Sequence, residues 1–263
     1  MMDFVTPNMN ILRFNSFARK GRQFVDAMNR YRLLRTLPSN FMENVLDKLY
    51  IRDGYVMDVL EYGDSYGRKC RFYAHKAATK GIYKGVLDYV EAYKKDRSLF
   101  SSIFSDEARM LDDYPIEEYS DDMEIYGYLS REAEKKIPDV QEYLSYPFTK
   151  EAVWQLYLLD IADTILPLFW HGGYHKRTFF FDRRSFLTFE HREVASFVHS
   201  KDIIPKVEIT GENTAIVKCC FWSEWHGLCV EEVIAECTDG KVTFSRDQSR
   251  LKILFPHNSS LRF

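Results

Sequence analysis

From Ile203 onward the chain runs in short apolar-polar alternations separated by turn signals, and this pattern narrows the fold more than any other feature of the sequence. The alternation predicts strands near 205–210, 214–222, 228–237, 241–246 and 250–255. The turns between them are Gly211-Glu212-Asn213, residues 223–227, Thr238-Asp239-Gly240 and Asp247-Gln248-Ser249. Strands this short and this evenly spaced form an antiparallel meander, because a few turn residues are enough to reverse the chain. A half-apolar sheet needs a covering layer. The natural cover is the strongly apolar stretch from 150 to about 166, a predicted helix with Thr149 as its N-cap.

The rest of the chain reads as mainly helical. Apolar Leu12, Phe17, Phe24, Met28, Tyr31 and Leu34 predict a helix over 8–36 that Leu37-Pro38 stops. Ser39 is a plausible cap for a second helix over 40–51. Residues 55–62 and 68–75, on either side of Gly63-Asp64-Ser65-Tyr66-Gly67, predict a β-hairpin. A helix over about 79–104 and broken helical pieces over 105–147 follow, and short elements are expected around Phe179 and Phe186. The expected fold is therefore α+β: a mainly helical part, 1–170, carrying a small hairpin near 55–75, and an antiparallel sheet part, 171–263. No Gly-, Ser- or Pro-rich linker divides them, so the two parts are expected to form one integrated unit.

Composition excludes several classes. Of 263 residues, 46% are apolar and 16% aromatic, which is incompatible with disorder of the whole chain. Five cysteines, an odd number without a C-x-x-C pair, fit a reducing compartment better than a disulfide framework or a zinc ribbon. The N-terminus lacks the basic and apolar regions of a secretory signal, and the apolar window 152–170 is interrupted by Asp160, Asp163 and Pro167. A cytoplasmic protein without a membrane span is expected. Charge is uneven: residues 1–40 carry seven basic against two acidic residues, and residues 105–145 carry thirteen acidic against four basic. Such blocks attract oppositely charged partners or each other.

Two segments could carry function. In the first, Trp170, His171, Gly172, Gly173, Tyr174 and His175 combine flat aromatic surfaces, imidazoles and glycines that allow close backbone approach. The bland alternative is a helix-to-strand junction. A metal reading would pair His171 and His175 with Asp160 and Asp163, but the glycine after His171 rules out the H-E-x-x-H arrangement. In the second segment, Trp222, Glu224, Trp225 and His226 sit at a predicted hairpin tip, as partner anchors or as a small core folded over the sheet. Strand alternation sets Val217, Cys219 and Phe221 on one face and Cys220 on the other, so these cysteines read as small hydrophobes rather than nucleophiles. Residues 63–69 are one residue short of a Walker loop and precede a strand instead of a helix.

The sequence thus points to a non-catalytic binding protein that uses these two loops, with an unidentified protein or small-molecule partner and no expected cofactor. Two alternatives stand beside it. One is a metal-assisted hydrolase built on His171, His175, Asp160 and Asp163. The other is nucleic-acid binding through the basic helix with Arg19, Lys20 and Arg22.

Overall fold

A computed structural model describes residues 15–34, 36–64, 67–77, 139–165, 177–187 and 189–257, with backbone alone at 60–64, 67–70, 192 and 200. The elements are α1 (Ser16–Leu34), α2 (Phe41–Val45), β1 (Tyr50–Ile51), β2 (Tyr55–Asp64), β3 (Gly67–Lys76), β4 (Leu144–Ser145), α3 (Lys150–Asp160), α4 (Ala162–Ile165), β5 (Arg177–Phe180), α5 (Ser200–Ile203), β6 (Lys206–Ile209), β7 (Thr214–Ser223), β8 (Gly227–Thr238) and β9 (Lys241–Phe255). Short 3₁₀ turns cover Val140–Tyr143, Arg183–Phe186 and Arg192–Phe197. The fold is α+β, with helices in the N-terminal part packed against antiparallel sheets.

Helix α1 buries Ala18, Gly21, Phe24, Ala27, Met28 and Tyr31, a spacing of three and four that defines one apolar face. Asn15 caps it, its Oδ1 accepting from Phe17 N (2.9 Å) and Ala18 N (3.2 Å). Among the described residues the helix begins at Ser16; the predicted part over 8–14 lies outside the described residues. On α3 the expected cap holds: Thr149 Oγ1 accepts from Ala152 N at 3.3 Å. Its residues 152–158 are all buried, because α3 is enclosed by α1 and the large sheet. Trp154 lies edge-on to Phe181 and donates its indole N–H to the Phe17 carbonyl at 3.0 Å. Tyr157 meets the edge of Phe244 on β9. The predicted covering helix is the observed one.

The large sheet is antiparallel in every pairing, and its order differs from a simple meander. β7 pairs with β8 and β8 with β9, as predicted. The outer edge of β7 is shared: β6 pairs along 215–218 and β5 along 220–223. The fifth strand is therefore β5, and the predicted strands 241–246 and 250–255 are one strand, β9. At Asp247-Gln248-Ser249 the chain does not reverse. Five steps along β9, from Arg246 to Leu251, oppose two along β8, from Val233 to Glu231, so these residues form a wide bulge. Asp247 Oδ1 accepts from Ser249 N at 2.8 Å inside it, a local turn signal that the flanking ladder overrides.

Both faces of this sheet are covered at one end. Val217, Cys219, Phe221, Cys229, Val233 and Ala235 belong to the main core with α1, α3 and the Phe24, Phe41, Phe72 ring cluster. Cys220, Trp222, Leu228 and Val230 face a second, smaller core built from Phe180, Phe186, Phe189, Val194, Val198 and Ile203. This explains why burial alternates along the first half of β7 and is continuous along the second.

The predicted hairpin is β2 paired to β3 in a two-stranded sheet, with Asp64 opposite Gly67; Ser65 and Tyr66 lie outside the described residues. The predicted helix 40–51 is confined to Phe41–Val45. Gln155 on α3 ends it. Its Oε1 accepts from Lys48 N (2.8 Å) while its Nε2 donates to Asp47 Oδ1 (2.6 Å), and Tyr50–Ile51 then pairs with Leu144–Ser145. Of the helical stretches predicted over 79–104 and 105–147, residues 79–138 lie outside the described residues, and 139–147 form a 3₁₀ turn followed by β4 instead of a helix.

Candidate functional site

The tip between β7 and β8 is built from Ser223, Glu224, Trp225, His226 and Gly227. Ser223 pairs with Gly227, leaving a three-residue loop closed by a glycine at φ +81°. Ser223 fixes the loop twice: its carbonyl accepts from His226 N (3.2 Å) and its Oγ from Trp225 N (3.2 Å). Trp225 and His226 are consequently exposed, and Trp225 keeps 49% of its surface in solvent.

The four residues predicted at this tip divide into two groups. Trp222, 2% exposed, is part of the smaller core and not a surface anchor. It stacks on His191 at 4.9 Å and lies 4.9 Å from His257 and 5.4 Å from Phe189. Glu224 ties the group together: Oε1 accepts from Trp222 Nε1 at 2.9 Å, and Oε2 lies 3.5 Å from His257 Nε2. Glu193 lies 3.6 Å from His191 Nδ1. His191 and His257 are 31 and 35 positions from Trp222 and 66 from each other, so no local pattern joins them.

The opposite face at the same end carries a charged network that the sequence reading did not assemble. Glu231, 4% exposed, accepts from Arg177 Nη1 at 2.9 Å and lies 3.8 Å from Arg246 Nε. Arg246 also pairs with Asp160, and the Arg177 guanidinium sits 4.3 Å over the Phe221 ring. One signal was readable: the β8 alternation that turns Cys229 and Val233 inward also turns Glu231 inward, and a buried carboxylate requires cationic partners.

Trp170, His171, Gly172, Gly173, Tyr174 and His175 lie outside the described residues. Arg177, two residues after His175, pairs with Ser223 at the tip. Of the proposed metal ligands, Asp160 is committed to Arg246, and Asp163 lines a cleft with Arg71 and Asp139. Among the described residues no group of three or more His, Cys, Asp or Glu side chains could hold a metal ion. Thiol catalysis is opposed by burial. Desolvation pushes Cys219 and Cys220 up and Cys229 to about 11, the reverse of what a nucleophile needs. Residues 63–64 end β2 and 67–69 begin β3, so a strand and not a helix follows this segment, which removes the phosphate-loop context.

On α1, Lys20 is buried between the Asn44 carbonyl (2.6 Å) and Asp47 (3.0 Å), and Arg22 pairs with Asp182. Of the three cations expected to meet nucleic acid, only Arg19 is exposed. No described helix is long and apolar enough to cross a membrane.

No family model, curated protein or solved structure matches this chain. The functional reading rests on the geometry alone.

Proposed function

We propose that this chain is a non-catalytic binding protein whose contact surface is the β7–β8 tip together with the segment 170–175, which precedes β5 in the sequence. The observation that carries the reading is Trp225, half exposed on a loop whose backbone is pinned by Ser223 and Gly227. A rigidly presented indole offers a large amphipathic contact area at low entropic cost, which is why Trp is enriched among the residues that dominate interfaces. The pairing of Arg177 with Ser223 supports the inclusion of Trp170, His171, Gly172, Gly173, Tyr174 and His175, because the chain leaving that segment joins the sheet at the tip. Trp222, Glu224, His191 and His257 act beneath this surface as its rigid support.

The test uses immobilised wild type, Trp225→Ala, and Leu33→Ala as a control at an 82% exposed apolar residue on α1. Each is presented to an extract of cells that express the protein, and the retained proteins are quantified by mass spectrometry. The expected result is a stoichiometric partner retained by wild type and Leu33→Ala and depleted about tenfold or more by Trp225→Ala. Equal retention by Trp225→Ala, or specific retention by none of the three, refutes the proposal.

A further inference from the structure

We draw no further inference here: the strongest candidate, the cleft of about 440 Å³ between the β2–β3 hairpin, α3 and the start of β9, carries nothing because each polar side chain on its wall, Arg71, Asp139, Gln141, Asp160, Asp163 and Thr243, is already engaged within the protein and nothing in the structure shows what fills it.

Discussion

Replacing Gly227 by alanine tests how the tip, β9 and the residues after it are locked together. Gly227 has φ +81°, a left-handed conformation that costs an L-residue about 1–2 kcal/mol. The larger effect is steric. A Cβ at Gly227 would lie 2.2 Å from the Phe255 carbonyl oxygen, 2.6 Å from His257 N and 2.9 Å from Pro256 C. All three are backbone atoms, so no side-chain rotation relieves the overlap. The end of β9 must retreat by close to an ångström. That breaks the Leu228–Phe255 pairing and pulls His257 away from Trp222 and Glu224. Losing a backbone hydrogen bond adds about 1 kcal/mol, and with lost packing the total comes to about 3 kcal/mol. Gly240 supplies the control. It occupies the second position of the two-residue Asp239-Gly240 turn at φ +76°, and an added Cβ meets nothing within 4 Å. Gly240→Ala should therefore cost only the backbone strain, about 1 kcal/mol. For a chain of this length the two figures correspond to Tm losses of roughly 6–12 °C and 2–4 °C. Urea and thermal unfolding, followed by circular dichroism, measure both. Equal losses for the two variants would refute the argument that the C-terminal end of β9 is clamped over the tip.

Four further outcomes are expected. Trp222→Ala should cost about 3–5 kcal/mol in urea unfolding, whereas Trp225→Ala should stay within about 0.5 kcal/mol, because only Trp222 fills a core; comparable losses would contradict the division of the two indoles. Glu231→Ala leaves two guanidinium groups facing each other and should cost about 3 kcal/mol, with a coupling to Arg177→Leu of at least about 1 kcal/mol in a double-mutant cycle; additive effects would remove the buried pair from the account. With Cys70 and Cys237 replaced by serine, the native protein should show no thiol reactive to Ellman's reagent at pH 8, and three after denaturation, since burial holds Cys219, Cys220 and Cys229 protonated. The same raised values, with Tyr146 pushed up to about 12 and Tyr157 also raised by complete burial, set an alkaline limit. Their contribution to stability is complete below the unfolded values of 9 for Cys and 10 for Tyr, and is lost as pH rises through the folded values. The urea midpoint should fall steadily above pH 9, and a midpoint flat to pH 11 would show that these groups are not buried as described.

The local half of the fold was legible in the sequence. Thr149 ahead of an apolar run predicts α3. The Asp239-Gly240 turn is a two-residue hairpin with both φ values positive, the geometry that Asp-Gly sequences favour. The paired runs around residues 63–67 predict β2 and β3, and strand alternation correctly separates Cys219 from Cys220. Each of these depends on contacts within a few residues, where intrinsic conformational preference and hydrophobic period act together. The tip was legible as a loop rich in Trp and His, but which Trp would face water was not.

What only the tertiary structure decided depends on partners far away in the chain. Gln155 reaches across 107 residues to hold Lys48 N and stops a helix that local propensity would continue. The β8 ladder carries β9 straight through Asp247-Gln248-Ser249, because pairing on either side outweighs one local turn. Arg177 finds Glu231 54 residues on, and Lys20 and Arg22 spend their charge on Asp47 and Asp182 instead of a ligand. Trp222 is buried because Phe186, Phe189, Val194, Val198 and Ile203 fold over the second face of the sheet, whereas Trp225, three residues later, is not part of that core and keeps half of its surface in solvent. An alternating pattern says which side chains share a face of a strand; it does not say whether anything will cover that face, since burial depends on the whole chain's packing and not on the residues themselves.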